Sequence, residues 1–567
     1  MPRLSPPVAV LLALAAGALV ARGFAPTDWW PFAIIGSAVL VALLDLATTR
    51  RQALAIGWAW GFGMFVTSLG WIATAFTFQA KMPAVLGWVA VVGLSGFLAL
   101  YPMAAAGLAR LVPAGGLPRL LGFTGAFMFS EWLRGVLLSG FSWNPLGAAW
   151  LEAPGMAQMA QFVGAQGLSG LMLLAGGGLW LLLRPSASLP GRATGGLLIM
   201  GLIGFSVFGA FRIQELYFPD NPNLIIVQPN IGQDEKYVEG ANDRHLDAYL
   251  ALTRTALADT SLGTSLGSNV AADQPFTGVD PVGNISERIT AGANRSLSDT
   301  VAEGMTGEKP NIILWSESAV FGLPEEDPGL RRRLANVLGP KDLLVFGGVA
   351  ATRDPDGRLA AVTNSLFVLD ADARLRGRYD KAHLTPLGEY LPARPLMERI
   401  GLARLAPGDL DFTPGPGPRT LVVPGMPPMG AMICYEIIFG ARVTEFGQRP
   451  AWIANISNDA WFGPSGPPQH LAQARLRAIE EGLPIARATP TGESAIIGPR
   501  GRIYARQPLG TSGVLRVTLP PPLPATPYAR RGDVIPLGLS LVLGLIGFAL
   551  GRTLTPISNA NALRSAR

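Results

Sequence analysis

The sequence predicts a polytopic α-helical membrane domain joined to a soluble α/β domain, with one more membrane helix at the C-terminus. Three observations predict it. Apolar residues come in long runs before about residue 212 and once more near the end of the 567-residue chain. Between these runs, short apolar strands alternate with helical stretches. Only 15% of the residues are charged and the mean hydropathy is +0.34, whereas ordinary globular proteins are about 25% charged.

A hydrocarbon core about 30 Å thick takes roughly 17–25 apolar residues as helix. The candidate spans are 8–22, 31–47, 55–78, 84–109, 120–139, 160–183, 195–212 and 533–551. The first two are short and meet at the turn Phe24-Ala25-Pro26-Thr27. A secretory signal peptide is the alternative for residues 1–22, but further apolar segments follow almost at once. Residues 1–212 thus form a membrane domain with about seven transmembrane helices, and 533–551 return the chain to its starting side. With the N-terminus inside, the inner side holds Arg3, Arg50, Arg51, Arg110, Arg119, Arg184, Arg192, Arg552, Arg564 and Arg567. The outer short loops hold Arg22, Lys81 and Arg134. Arg212, Arg530 and Arg531 also fall outside and count against the scheme, yet the bias favours a soluble domain outside. The formal charge of +6 is mostly this topology signal and does not point to nucleic acid.

Residues 220–525 hold expected strands at 224–227, 312–315, 343–347, 364–369, 421–423, 431–434, 452–456, 495–497 and 514–517. Expected helices cover about 233–257, 327–338, 436–447 and 468–482. Residues 259–308 are rich in Ser, Thr, Gly, Asn and Asp and read as a flexible insertion. Residues 386–413 mix large aliphatics with Arg, Glu and Pro, which fits either core packing or an interfacial lid or arm. The chain shows no trusted internal repeat and no glycine-rich phosphate loop.

Cys434 is the only cysteine, so it forms no internal disulfide and no thiolate metal cluster. It is either a packing residue or a nucleophile. Its place at the end of the apolar run Gly430-Ala431-Met432-Ile433, directly before Tyr435-Glu436, favours the nucleophile. Two more segments repeat the design. Asn311 to Trp315 leads to Ser316-Glu317, and Arg378-Tyr379-Asp380 leads to Lys381. A thiol attacks as thiolate and needs a base or a nearby cation, and attack on a carbonyl creates an oxyanion that needs fixed donors. Glu, Lys and Cys supply base, cation and nucleophile.

These segments resemble the carbon–nitrogen hydrolase (nitrilase) superfamily, and within it the apolipoprotein N-acyltransferase branch. Further motifs carry the likeness: Val227-Gln228-Pro229-Asn230-Ile231, Leu387-Gly388-Glu389-Tyr390-Leu391-Pro392, Asn455-Ile456-Ser457-Asn458-Asp459-Ala460-Trp461-Phe462-Gly463 and Gly140-Phe141-Ser142-Trp143. The resemblance implies a nitrilase-like α-β-β-α sandwich. It also implies Glu317 as general base, Lys381 as oxyanion cation, Cys434 as nucleophile and the Tyr435 backbone N–H as oxyanion donor. Glu389 matches a carboxylate near the active centre, with an exposed loop charge as the alternative. Glu436 either orients Lys381 or caps a following helix. Tyr237, Asn364, Trp461 and Phe462 are candidate substrate contacts, although the family often has Trp where this chain has Tyr237, and the two aromatics at 461 and 462 could equally be core. His383 and His470 read as structural, and no metal or cofactor is expected.

By the same resemblance the chain takes an acyl group from a phospholipid such as phosphatidylethanolamine. It passes the group through a cysteine thioester to the α-amino group of diacylglyceryl-cysteine on an apolipoprotein. The implied location is a bacterial inner membrane with the catalytic domain on the periplasmic side. A membrane-tethered amidase or nitrilase would use the same triad but needs only one span. A non-catalytic lipid-binding scaffold needs no triad.

Overall fold

A computed structural model describes residues 5–78, 83–184, 189–213, 221–235, 240–258, 309–399 and 411–554. The expected insertion 259–308, Lys81, Tyr237 and residues 400–410 of the expected arm lie outside the described residues.

Helices occupy the apolar runs: Pro6–Val20, Trp30–Leu46, Arg50–Ser68, Val85–Leu98 with Leu100–Ala109, Leu117–Val136, Ala160–Leu183, Leu189–Ala210 and Val534–Leu554. Among the described residues, five are long and apolar enough to cross a membrane, or up to six if a bent pair is one span. That pair is Arg50–Ser68 with Ile72–Phe78, bent by 52°. Trp30–Leu46 is a shorter apolar helix, and Leu117–Val136 carries Arg119, Glu131 and Arg134. Small residues let the helices meet backbone to backbone. The Ser540 hydroxyl donates to the Gly125 carbonyl at 2.7 Å, and a side chain on Gly125 would strike the backbone of Ser540. Glu131 and Arg134 are buried and pin the chain that leaves their helix. Arg134 donates to the carbonyls of Phe141 and Trp143 at 2.7 and 2.8 Å, and Glu131 accepts from the Leu146 N–H at 2.9 Å.

The remaining chain forms two six-stranded sheets. The first runs β12-β1-β2-β3-β4-β5 and the second β11-β10-β9-β8-β7-β6. Their strands are β1 Asn223–Gln228, β2 Asn311–Leu314, β3 Leu343–Arg353, β4 Leu359–Asp370, β5 Leu375–Asp380, β6 Thr420–Leu421, β7 Met429–Ile433, β8 Trp452–Ile456, β9 Ile485–Ala488, β10 Ser494–Ile497, β11 Ile503–Gln507 and β12 Gly513–Thr518. Each sheet has a parallel centre, β1-β2-β3 and β7-β8-β9, flanked by antiparallel strands. Strands buried on both faces read as continuous apolar runs, which is why β1, β2, β7 and β8 are visible in the sequence.

Alternate residues then build three cores. Leu224, Ile226, Leu314 and Val345 of the first sheet share one cluster with Ala431, Ile433, Ala454 and Ile456 of the second. The outer face of the first sheet, with Ile225, Ile313 and Leu344, packs on Leu246, Tyr249 and Leu250 of the helix Ala241–Ala258 and on Leu334. The outer face of the second sheet, with Met432, Ile453, Ile485 and Ile497, packs on Leu471, Ala474 and Ala478 of the helix Gly466–Glu481. That third core continues without a break into Trp143, Leu146, Ala165 and Leu168 of the membrane part. The order helix, sheet, sheet, helix is the expected α-β-β-α sandwich, with its last layer shared with the membrane helices.

Two strands escaped the sequence reading, β9 and β11, and of β5 only the end Arg378-Tyr379-Asp380 was read. β5 alternates polar and apolar residues, β11 ends in Arg506-Gln507, and β9 carries Arg487 in its middle. The helix expected at 436–447 is absent. A five-residue 3-10 turn, Cys434–Ile438, stands there instead. Glu436 draws its carboxylate back onto the backbone of Ile433 at 2.7 Å, and Ile437, Ile438 and Phe439 are all buried, which a surface helix would not allow. The expected helix at 233–257 is observed from Ala241 to Ala258.

Among the described side chains that join the two parts, Gln469 makes the most hydrogen bonds across the boundary. The carbonyl oxygen of buried Gln469 accepts from Trp71 Nε1 at 3.1 Å, Trp143 Nε1 at 2.8 Å and Asn144 Nδ2 at 2.9 Å, while its amide donates to the Ser68 carbonyl at 3.2 Å. Gln469→Leu leaves three donors without this acceptor, at roughly 1–3 kcal/mol for each buried group left unpaired. Thermal unfolding in detergent should show a melting temperature several degrees lower. An unchanged melting temperature would mean that the junction does not depend on this residue.

Candidate active site

β7 ends at Ile433, and Cys434 turns the chain with φ +51° before the 3-10 turn begins. Positive φ is unusual for a residue with a Cβ, and here it lifts the thiol out of the strand at the sheet's C-terminal edge. In a turn of this type the first N–H groups find no partner within the turn, so the Tyr435 N–H belongs to a set of donors free for other use. The peptide that carries this N–H also carries the Cys434 carbonyl. That carbonyl lies 3.2 Å from His470 Nε2.

Glu317 follows β2 and is buried. Its Oε1 accepts from Asn364 Nδ2 and its Oε2 from the Asn458 N–H, both at 2.7 Å. The close packing needs glycine at 347: a Cβ there would stand 2.7 Å from Glu317 Cα. Lys381 ends β5 and is 1% exposed. Its Nζ sits 2.9 Å from Glu389 Oε2 and 3.6 Å from Glu317 Oε1. Asn364 Nδ2 donates also to Glu389 Oε1 at 2.7 Å, so one amide spans the two carboxylates that flank the ammonium. The Asn364 Oδ1 is buried without a partner among the described residues.

Burial works against the Lys381 charge, but the carboxylates of Glu389 and Glu317 outweigh it and hold the ammonium above lysine's usual range. Burial pushes the Cys434 thiol up to about 12; Glu317 adds to this, and Lys381 opposes it. The thiol is therefore protonated in the resting site.

Glu436 accepts four hydrogen bonds. Oε1 accepts from the Tyr379 hydroxyl at 2.7 Å and from the N–H groups of Ala382 and His383 at 2.8 and 3.0 Å, while Oε2 accepts from the Ile433 N–H. One carboxylate thus ties the chain just after Lys381 to the residue just before Cys434. Through the Ile433 N–H it also caps the start of the 3-10 turn in which it sits.

Sequence reasoning missed a buried cluster behind the thiol. Asp459 accepts from Ser457 Oγ at 2.7 Å and from Arg487 at 2.5 Å, and faces His470 Nδ1 at 3.0 Å. Arg487 also donates to Asn455 Oδ1 at 2.5 Å. Burial opposes the Asp459 charge, yet Arg487 and His470 hold its carboxyl well below the usual range. The motif from Asn455 to Gly463 was the available signal, but only for its aromatics. Those lie beside the junction: Phe462 is 4.4 Å from Trp71 and 5.7 Å from Trp143, and Trp461 meets Phe78 edge-on at 6.0 Å. Tyr237 lies outside the described residues. Among the described residues no cluster of His, Cys, Asp and Glu fits a metal ion.

A buried thiol on a positive-φ elbow, facing a carboxylate and an ammonium across two stacked sheets, defines a carbon–nitrogen hydrolase type of domain. The carbon-nitrogen hydrolase family matches residues 288–524, and the apolipoprotein N-acyltransferase N-terminal domain matches residues 16–178. The chain is 34% identical to the apolipoprotein N-acyltransferase of Rhodopseudomonas palustris over 542 residues, which is 92% of each chain. It is also 34% identical to that of Caulobacter vibrioides over 554 residues, 94% of this chain and 93% of the relative. An amidase of the nitrilase superfamily from Nesterenkonia AN1 aligns at 16% identity and a TM-score of 0.30, covering 56% of this chain and 97% of the amidase. The chain belongs to the apolipoprotein N-acyltransferase family, and its own apolar helices make it a multi-pass membrane protein.

Glu436→Ala removes the acceptor shared by both segments. Amide hydrogen exchange should speed up together in peptides covering 378–385 and 430–438. Faster exchange in only one of them would show that Glu436 does not couple the lysine to the cysteine.

Proposed function

We propose that the chain transfers a fatty acyl group from a membrane phospholipid, through a thioester on Cys434, to the α-amino group of diacylglyceryl-cysteine on an apolipoprotein. The observation that carries this reading is the buried Cys434 elbow beside Lys381 and Glu317, in a domain whose outer core is continuous with apolar membrane helices. Both substrates are bilayer-resident, so a soluble active site must be held at the membrane surface to meet them.

In the first step the Cys434 sulfur attacks the ester carbonyl of the donor, and its proton passes to Glu317. Negative charge grows on the carbonyl oxygen and is met by the Lys381 ammonium and the Tyr435 N–H. The carbon–oxygen ester bond breaks, the leaving glyceryl oxygen takes the proton from Glu317, and lysophospholipid departs. In the second step the acceptor amine attacks the thioester and gives a proton to Glu317. The carbon–sulfur bond breaks, and the Cys434 sulfur recovers that proton. Glu389 and Glu436 are positioning residues, for the ammonium and for the two backbone segments. Asn364 Oδ1, buried and without a partner among the described residues, is the proposed acceptor for the incoming amine. Tyr237, Trp461 and Phe462 remain candidate contacts for the acyl chains, with the aromatic grouping at Phe78 and Trp71 in support.

The proposed setting is a bacterial inner membrane crossed eight times, seven before the catalytic domain and once after it, with that domain on the periplasmic side. Arg119 and Arg184 support the inside end of this scheme, since both reach the same carboxylate, Asp45, at 3.3 and 2.9 Å. The segment 386–413 is proposed as a membrane-facing arm. Its described ends are pinned by buried Leu391 and by the Arg394–Asp411 ion pair at 2.5 Å. Phosphatidylethanolamine is the proposed donor.

The test is intact-mass measurement after incubation with phosphatidylethanolamine in mixed micelles. Wild type should gain one hydroxylamine-sensitive acyl mass, and Cys434→Ala should gain none. Glu317→Gln should slow acylation about 10²–10⁴-fold as the loss of a general base. Lys381→Met should slow it about 10²–10³-fold as the loss of an oxyanion donor. Near-normal N-acylation by Cys434→Ala would overturn the reading.

A further inference from the structure

Arg530 and Arg531 stand on the side of the membrane that basic residues usually avoid, and the function above gives them no task. They close the short helix Pro527–Arg531, and the apolar helix Val534–Leu554 begins almost at once. Only Gly532 and Asp533 separate Arg531 from the start of that helix, which places it at the level of the lipid headgroups. A third arginine joins them from another part of the chain. Ala441 packs on Gly532, where a Cβ would lie 3.1 Å from the alanine methyl, and Arg442 follows directly. At the far end of the same loop, Arg449 feels the charge of Arg530 while donating to the Glu481 carbonyl at 2.7 Å.

Arg442, Arg530 and Arg531 are all exposed. None has a carboxylate partner among the described residues. The acidic groups nearby are committed elsewhere. Glu445 accepts from the Thr420 N–H at 2.7 Å, and Asp533 accepts from the Tyr528 hydroxyl at 2.8 Å and from Trp132 Nε1 at 3.1 Å. The patch also reaches the rim of the active site. Arg442 acts electrostatically on His383, whose ring stacks on Phe439 at 4.1 Å two positions after Lys381. Phe446, between Arg442 and Arg449, is 103% exposed, a place for an aromatic ring that suits the lipid–water boundary.

We propose that Arg442, Arg530 and Arg531 form a binding site for the phosphodiester of the phospholipid that donates the acyl chain. Guanidinium groups match phosphate oxygens in charge and in geometry. An anion held there keeps the donor headgroup between the bilayer surface and the rim near Lys381. The proposal rests on the acyl-transfer reading and adds where the donor's headgroup is gripped.

The experiment compares two acyl donors on the full-length enzyme in mixed micelles. One is phosphatidylethanolamine. The other is a diacylglycerol with the same chains and no phosphate. Acyl-enzyme formation is followed by intact mass, and p-nitrophenyl butyrate provides a small donor that needs no headgroup. Wild type should prefer the phospholipid. Arg442→Gln should raise KM for it about fivefold, and the triple variant Arg442→Gln, Arg530→Gln, Arg531→Gln by more than about tenfold, on the scale of one arginine at a lipid surface. The preference over diacylglycerol should collapse, and the loss with p-nitrophenyl butyrate should be at least tenfold smaller. Arg→Lys replacements should recover part of the effect. A triple variant with wild-type KM for phospholipid, or one equally impaired with all three donors, would overturn the site. If wild type formed no acyl-enzyme from any lipid, the acyl-transfer reading itself would fall, an outcome distinct from either.

Discussion

The site depends on one buried cation. Lys381 has almost no contact with water, and it sits against two carboxylates, Glu389 and Glu317, that a single amide from Asn364 holds together. An ion in such a place is tolerable only with partners of opposite charge and with its hydrogen bonds made. One ammonium against two carboxylates leaves the cluster without a spare positive charge, so a thiolate beside it would add to an excess of negative charge. That is the physical reason for a protonated Cys434 at rest. In the proposed mechanism the negative charge of attack is then affordable only as it moves onto a carbonyl oxygen near Lys381, with the thiol proton passing to Glu317.

Such an arrangement needs exact backbone placement, and three devices supply it. Glu436 binds the chain on both sides of the gap between Lys381 and Cys434. His470 contacts the Cys434 carbonyl and is itself held by Asp459 and Arg487, so the peptide bearing the Tyr435 N–H is held from its other edge. Gln469, next to His470, fastens the same helix to Trp71, Trp143 and Asn144. The membrane part therefore does more than tether a soluble enzyme. It supplies the dry outer layer of the second sheet, and its break near Ser68 is wired to the residue beside the one that holds the nucleophile.

Much of this was legible in the residues. β1, β2, β7 and β8 are short apolar runs bounded by polar residues, and the candidate side chains Glu317, Lys381 and Cys434 follow β2, β5 and β7. Only the end of β5 was legible and β11 was not, because short, half-exposed strands with charged residues look like loop. β9 was hidden by Arg487, a charge whose burial makes sense only once Asp459 is opposite it. The helix expected at 436–447 was not formed, because Ile437, Ile438 and Phe439 are all buried and no face of the segment is left for solvent. His470 and Gln469 read as ordinary residues of an amphipathic helix. Sequence period shows that a helix has two faces, but not that its second face meets another part of the protein.

The charge balance at Lys381 can be tested through the lone cysteine. With one thiol in the chain, intact mass reports alkylation of Cys434 alone, and the rate with iodoacetamide follows the thiolate fraction. With the thiol pushed up to about 12, the rate in detergent without substrate should climb steadily from neutral pH through at least pH 10, about tenfold per unit, with no plateau. A plateau reached near neutral pH would mean a stable resting thiolate and would contradict the account.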